Sequence, residues 1–130
     1  MAGTLVANTI NTDTGLFSTN NAYLGIAKAW VNFNGVTTVT INNSFNVSSV
    51  TRNGTGDYTL NFTTAMANAN YVATCSARQL TASGYLSVAT DVNTSGVALT
   101  RTTSAYQIQC QNVVGGLNDN PVMQVAILGS

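Results

Sequence analysis

Alternation between apolar and polar side chains recurs along this chain, and it constrains the fold more than any other feature of the sequence. In "DYTLNFTT", Tyr58, Leu60 and Phe62 occupy every second position, with threonine and asparagine between them. The segment "YQIQCQN" alternates in the same way with glutamine. Because successive side chains of a strand point to opposite faces, both segments predict antiparallel strands with one packed face and one solvated face.

Further segments have the composition of strands, and turn signals separate them. Threonine and valine supply the β-branched side chains that suit a pleated surface. The candidates are "AKAWVNFN", "VTTVTI", "FNVSSV", "YVATCSA", "YLSVATD", "GVALTRT" and "VMQVAIL". The segments "RNGTGD" and "DVNTSG" predict hairpin turns, and "TTAMANAN" predicts a short turn between strands. We therefore predict an all-β protein, an antiparallel β-sandwich or jelly-roll-like domain of about nine strands.

The first 25 residues differ from the rest of the chain. They contain Leu5, Val6 and Ile10, but they are otherwise rich in asparagine, threonine and serine. We predict an extended N-terminal arm over residues 1–25, followed by a sandwich domain over residues 26–130. Such an arm would bury its apolar side chains against another subunit or another protein. The alternative is an ordinary edge strand of the same sandwich.

The chain carries very little charge. It has four basic and four acidic residues, so its net charge is zero and only 6% of its residues are charged. Nucleic acid and anionic membranes attract clustered lysine and arginine, so we expect neither as a partner, and no apolar segment is long enough to insert in a membrane. Charged side chains normally protect strand edges. We expect the edges here to close on themselves or to be covered by neighbouring subunits, and we favour the subunits.

Catalytic chemistry requires groups that this sequence scarcely contains. It has no histidine and no glutamate, and its four acids are Asp13, Asp57, Asp91 and Asp119. The last three lie in turn segments, where an aspartate typically accepts hydrogen bonds from local backbone amides. We therefore expect no enzymatic activity, no catalytic residue and no cofactor.

The two cysteines, Cys75 and Cys110, alternate with apolar neighbours, which predicts that both side chains point into the core. We interpret them as small buried hydrophobic residues. A disulfide between them stays open as the alternative. Two thiols without an imidazole do not predict a metal site.

The segment "AKAWVNFN" contains the only lysine, Lys28, and the only tryptophan, Trp30. On a strand these two side chains share one face, and Ala27, Ala29, Val31 and Phe33 share the other. If Val31 and Phe33 face the core, Trp30 points outward, where a large aromatic side chain is costly to leave in water. We predict that Trp30 packs under the arm or in a subunit interface; stacking on a sugar is the alternative.

Two segments, "AKAWVNFNG" and "FNVSSVTRNGTGDYTLNFTTAMANANY", resemble a β-rich domain of bacteriophage virion proteins, often found at the C-terminal end of tail fibres. The opening "TLVANTINTDTG" and the closing "VAILG" are also similar to that family. The resemblance implies a non-enzymatic structural protein, homotrimeric, assembled in the host cytoplasm and located in the virion. Because no long shaft precedes the domain, it implies a decoration of capsid or tail, or a short fibre. The arm would then contact capsid or tail proteins.

A second hypothesis is a module that binds host surface glycans. The polar segment "ARQLTASGYL" places Arg78, Gln79 and Tyr85 close together in sequence. Their side chains combine hydrogen-bond donors with an aromatic ring, which is the chemistry that recognises a sugar. The two hypotheses are compatible, because a decoration can also adhere to a host.

Overall fold

A computed structural model of the chain describes residues 3, 9–12, 15–18, 25–78, 88–112 and 116–129. The described residues form ten strands. The strands are β1 (Thr9–Thr12), β2 (Gly15–Ser18), β3 (Ala27–Asn34), β4 (Thr40–Phe45), β5 (Val47–Gly54), β6 (Asp57–Phe62), β7 (Val72–Arg78), β8 (Val88–Thr90), β9 (Ala105–Gln111) and β10 (Val122–Leu128). None of the described residues belongs to a helix with the length and hydropathy needed to cross a bilayer.

Eight of these strands form two antiparallel sheets. Sheet I has the order β4-β3-β10-β7, and sheet II has the order β5-β6-β9-β8. The buried apolar side chains of β3 and β10 join those of β6 and β9 in one core cluster between the sheets. The predicted all-β class and antiparallel pairing are confirmed, and the two sheets are consistent with a β-sandwich.

The predicted strand number and the predicted arm are not confirmed. The two sheets hold eight strands, and β1 and β2 add a separate two-stranded antiparallel sheet within residues 1–25. Ile10 lies in β1, opposite Phe17 of β2. Leu5 and Val6 lie outside the described residues.

Alternation positions the core side chains, as the sequence predicts. In β6, Tyr58, Leu60 and Phe62 are buried, while the residues between them are partly exposed. The ring of Phe33, on β3 of the opposite sheet, meets the Tyr58 ring edge-on with 5.2 Å between the ring centroids. Edge-to-face contacts of this kind contribute roughly 1 kcal/mol beyond the burial of the rings.

The chain crosses from sheet I to sheet II at Asn46, between β4 and β5. Its φ angle is 55°, a left-handed conformation that asparagine tolerates better than most residues. Its side-chain amide donates to the carbonyl oxygens of Lys28 and Thr64 at 3.0 and 3.1 Å, and its Oδ1 accepts from the Thr64 amide at 2.7 Å. The Asn46 side chain therefore fixes the corner at which one strand changes sheet.

Two predicted strands differ in the structure. The segment "VTTVTI" becomes a strand only at Thr40, because Asn34 Oδ1 accepts from the Val36 amide at 2.9 Å and Thr37 has a φ of 57°. These features bend the chain before the strand begins. In "GVALTRT", Ala98 and Arg101 make isolated bridges and no continuous strand forms. The hairpin turn of "DVNTSG" is confirmed by the Val92–Ala98 bridge and by the φ of 76° at Gly96.

Candidate functional site

The described residues contain no group of three or more histidine, cysteine, aspartate or glutamate side chains that could hold a metal ion. Two of the groups that their polar side chains form differ most in character. One is a charged cluster at the β5–β6 hairpin, and the other is an uncharged row on the outer face of sheet I.

The charged cluster, called the Asp119 cluster below, consists of Arg52, Gly56, Tyr58 and Asp119. Arg52 Nη2 lies 2.6 Å from Asp119 Oδ2, and the Gly56 amide donates to Asp119 Oδ1 at 2.7 Å. The Tyr58 hydroxyl donates to the same Oδ1 at 2.5 Å and lies 3.0 Å from the Gly35 carbonyl oxygen. The cluster thus ties the loop before β10 to the hairpin that joins β5 and β6.

Glycine is required at the centre of this cluster. Gly56 has a φ of 64°, which the turn needs and which side chains disfavour. A Cβ atom at this position would also lie 2.7 Å from the backbone nitrogen of Asn118. The second glycine of "RNGTGD" therefore permits both the hairpin turn and the close approach of the loop that carries Asp119.

The electrostatics of the cluster favour an ionised Asp119. Burial raises the pKa of this carboxyl group, but hydrogen bonds from Arg52, the Gly56 amide and Tyr58 outweigh it, so the net pKa is lowered. Burial and the hydrogen bond to Asp119 raise the pKa of Tyr58 well above its ordinary value. The carboxylate is therefore fixed in the charged state and the phenol in the neutral state, which suits a structural tie and leaves no proton to exchange near neutral pH.

A second aspartate is held by side-chain amides. Asp57 accepts from Asn53 at 2.7 Å, from Gln107 at 2.9 Å and from Gln109 at 2.6 Å. Burial raises its pKa, but these three hydrogen bonds outweigh it and lower the net pKa. The sequence predicts that the turn aspartates accept from local backbone amides, and that prediction is wrong for Asp57, Asp91 and Asp119. Their hydrogen-bond donors come mainly from side chains and from strands distant in sequence.

Both cysteines are thiols outside any disulfide, and both turn inward as predicted. Cys110 is fully buried, and its Sγ accepts from Asn120 Nδ2 at 2.7 Å. Burial raises the pKa of the Cys75 thiol to about 11, so it is not a thiolate near neutral pH. Neither sulfur has the environment of a nucleophile.

The outer face of sheet I carries the uncharged row. The register places Asn32 of β3 opposite Asn43 of β4 and opposite Gln124 of β10, and it places Gln124 opposite Ser76 of β7. Residues directly opposite each other in antiparallel strands present their side chains on the same face. These four polar side chains, called the amide row below, therefore cross the whole sheet.

The neighbouring row contains Trp30. This residue is partly exposed, and its register partners are Phe45 on β4 and Ala126 on β10; Ala126 is in turn opposite Thr74 on β7. The small Ala126 side chain lies between Trp30 and Thr74. A shallow, open depression of about 400 Å³ lies here, and its lining includes Trp30, Ala126, Thr74 and the amide row. None of the described charged side chains lines it.

Of the three side-chain amides in the amide row, only the carbonyl oxygens form hydrogen bonds within the described part of the chain. The carbonyl oxygen of Asn32 accepts from Asn42 at 3.1 Å, that of Asn43 accepts from the Ser44 amide at 2.9 Å, and that of Gln124 accepts from Ser76 Oγ at 3.0 Å. Within the described part of the chain, the NH₂ groups of Asn32, Asn43 and Gln124 make no hydrogen bond. Three donors beside an indole ring are thus available to a ligand.

The structure brings some predicted site residues together and separates others. Lys28 and Trp30 share the outer face of β3, opposite the buried Ala29, Val31 and Phe33, as predicted. Ala27, predicted to face inward with them, is only partly buried, because the pairing of β3 with β10 shifts register before it. Because β3 lies between β4 and β10, neither residue is on an edge strand of the sheet. Arg78 is exposed at the end of β7, opposite Val122, and it does not line the depression. Gln79 and Tyr85 lie outside the described residues.

The amide row was missed by reasoning from the sequence, although one signal was available. Asn32 is two residues after Trp30, so strand alternation alone places both on one face. Asn43, Ser76 and Gln124 come from three other strands, and only the register brings them to Asn32. Comparison of this chain with protein-family models, with curated proteins and with solved structures found no match.

Proposed function

We propose that the protein is a non-enzymatic structural component of a bacteriophage particle, a homotrimeric decoration or short fibre protein attached to capsid or tail. The resemblance of Ala27 to Tyr71 to virion β-domains motivates the virion context. Within this proposal the sandwich is of the jelly-roll type, and residues 1–25 contact both neighbouring subunits and the capsid or tail protein. Enzymatic activity is not part of the proposal, because Asp57, Asp91 and Asp119 all accept hydrogen bonds from side chains of the chain itself.

One observation carries the proposal of self-association. Ala27, Leu128 and Val72 are register neighbours at one end of sheet I, and Ile26 directly precedes Ala27. Val72 is 62% exposed and Ile26 is 60% exposed. We call Ile26, Val72 and Leu128 the apolar end. Large apolar side chains that gather at one place on a surface favour a contact with another protein.

The occupant that we propose for the apolar end is a second copy of this chain. The net charge of the chain is zero, so identical copies do not repel one another over long range. Ile26 also follows directly on residues 1–25, the segment that we expect to contact neighbouring subunits. A contact at the apolar end would therefore be continuous with the contacts of that segment.

The strand edges on the β4 and β5 side are less suitable for pairing between subunits than the charge content suggested. β4 and β5 contain β-bulges, in which one residue has no partner on the neighbouring strand. The register places these unpaired residues at Asn42 in β4 and at Ser48 and Asn53 in β5, and each interrupts the regular pairing of the strand. Bulges protect an edge from pairing without any charge. We therefore assign self-association to the apolar end and not to continuous pairing of these strands.

Size-exclusion chromatography with light scattering tests the oligomer. We expect a trimer at micromolar concentration, and Val72→Asp and Ile26→Asp should shift the mass toward the monomer. Val97, in the hairpin loop, is 59% exposed and provides the matched control. Val97→Asp should leave the mass unchanged. A wild-type monomer, or equal effects of all three substitutions, would contradict the assignment.

The virion context needs a separate experiment. Particles purified from cells that express the chain during phage infection should contain it in a fixed copy number, measured by quantitative mass spectrometry. Electron cryo-microscopy of these particles would then assign the density to capsid or tail. A chain that never sediments with particles would refute the virion context and leave the oligomer result unaffected.

A further inference from the structure

We infer that the depression beside Trp30 is a binding site for a neutral saccharide. The indole lies in it, the amide row forms its polar side, and its volume of about 400 Å³ is in the range of small-molecule sites. This site differs from the segment around Arg78 that the sequence suggested. It depends neither on a trimer nor on a virus particle.

The combination of side chains fits the chemistry of a sugar ring. A pyranose presents C–H groups on its faces, which pack on an aromatic ring, and hydroxyl groups at its edge, which need hydrogen-bond partners. Trp30 supplies the aromatic surface. The NH₂ groups of Asn32, Asn43 and Gln124 supply donors to hydroxyl oxygens, because their own carbonyl oxygens already accept from the protein.

The depression does not fit other classes of small ligand as well. A phosphate or carboxylate ligand would call for a cation in the lining, and none of the described lysine and arginine residues lines the depression. Single-stranded nucleic acid stacks on aromatic rings within a positively charged groove, which these described residues do not provide. A purely apolar ligand would leave the amide donors without partners.

The position of Trp30 on an interior strand makes the site rigid. β3 is hydrogen-bonded to β4 on one side and to β10 on the other, and the inward side chains beside Trp30, Ala29 and Val31, are buried in the core. A ring fixed to a packed sheet loses little freedom when a ligand binds. Because the depression is open and shallow, only one side of a sugar is covered, and we expect dissociation constants in the millimolar range.

The single tryptophan provides a direct measurement. Titration of the intact protein with neutral gluco-, galacto-, manno- and N-acetylglucosamine oligosaccharides should change the emission of Trp30 for at least one of them. Ligand-observed NMR on the same samples should show saturation transfer to the sugar. A sialylated oligosaccharide is the acidic comparison, and it should bind no better than its neutral counterpart.

Substitutions locate the site. Trp30→Ala should abolish binding in the NMR experiment, and the double variant N32A/Q124A should weaken binding about tenfold, since each change removes one hydrogen-bond donor. Asn70, an exposed residue in the loop before β7, provides the matched control, and Asn70→Ala should bind like wild type. If Trp30→Ala does not fold, N32A/Q124A decides, because its side chains are on the solvated face.

Three results would overturn the inference. The first is the absence of any response to the neutral oligosaccharides. The second is binding that is unchanged in Trp30→Ala or in N32A/Q124A. The third is binding restricted to the sialylated oligosaccharide and lost in Arg78→Ala, which would move the site to the end of β7. None of these results bears on the mass measured by light scattering, so the two proposals fail independently.

Discussion

The Asp119 cluster and the amide row are both polar, yet they use their hydrogen-bonding groups in different ways. In the cluster, the carboxylate accepts from a guanidinium, a backbone amide and a phenol, and it is largely buried, with 16% of its side chain exposed. In the amide row, the carbonyl oxygens of Asn32, Asn43 and Gln124 accept hydrogen bonds from the protein, and their NH₂ groups have no partner in the described part of the chain. The cluster stabilises the fold, because its donors and its acceptor are bonded to one another. The amide row can bind a ligand, because its NH₂ groups still have donors to offer.

The largest expected effect of a single change is at the centre of the cluster. Asp119→Ala leaves Arg52, the Gly56 amide and the Tyr58 hydroxyl without their acceptor, so we expect the free energy of unfolding to fall by about 2–3 kcal/mol. Urea denaturation measures this fall in the free energy of unfolding.

Asp91, whose side chain is 53% exposed, pairs with Arg101 at 2.7 Å and provides the control. Asp91→Ala should cost less than about 0.5 kcal/mol. Equal losses would end the distinction between the two ion pairs.

Removal of one donor from the cluster should have a smaller effect. Tyr58→Phe keeps the ring against Phe33 but deletes the hydroxyl that donates to Asp119 and lies near the Gly35 carbonyl oxygen. We expect a loss of about 1.5 kcal/mol in the free energy of unfolding. A double-mutant cycle with Asp119→Ala should show coupling, because both changes break the same hydrogen bond. Additive losses would show that the bond contributes nothing.

Acid should weaken the same cluster without any substitution. The pKa values of Asp57 and Asp119 are both lowered from 3.8 in the folded protein. Between the folded pKa values and 3.8, the unfolded chain therefore binds more protons than the folded protein does. The stability from these carboxylates is present above pH 3.8 and is lost as the pH falls through their lower folded pKa values. The loss should be smaller than in Asp119→Ala, because a protonated carboxyl group still forms hydrogen bonds. Thermal unfolding between pH 2 and pH 6 measures it, roughly the range over which carboxyl groups titrate.

The asparagine variant of the cluster sharpens that test. Asp119→Asn removes one titrating group and keeps a side-chain oxygen as an acceptor. Its stability should therefore depend less steeply on pH below 3.8 than that of wild type. An unchanged pH dependence would show that Asp119 does not contribute to acid sensitivity.

The smallest expected effect is in the amide row. Gln124→Ala should change the free energy of unfolding by less than about 0.5 kcal/mol, because its side chain is on the solvated face. The next residue of the strand, Val125, is buried, and Val125→Ala should cost about 2 kcal/mol. A large loss in Gln124→Ala would mean that the row is part of the framework and not a ligand surface. Urea denaturation of the two variants, side by side, distinguishes these outcomes.

Strand alternation predicted the elements that matter most for the candidate site. The boundaries of β3 and β10 match the predicted segments "AKAWVNFN" and "VMQVAIL", and the outward position of Trp30 followed from the same pattern. Alternation failed at "GVALTRT", where local hydrogen bonds of the hairpin loop compete with a continuous strand. Asn93 Oδ1 accepts there from the amides of Ser95 and Val97, both at 2.9 Å. Such competition depends on loop geometry that periodicity does not encode.

The sequence by itself determined the fold class, the faces of the strands and the outward position of the single tryptophan, because these depend on a period of two along the chain. The tertiary structure decided which strands are neighbours. It brought Asp119 to Arg52 across 67 positions, and it aligned the amide row from four separate strands. Register and order of strands are set by packing of the whole core, and no local pattern in the sequence specifies them.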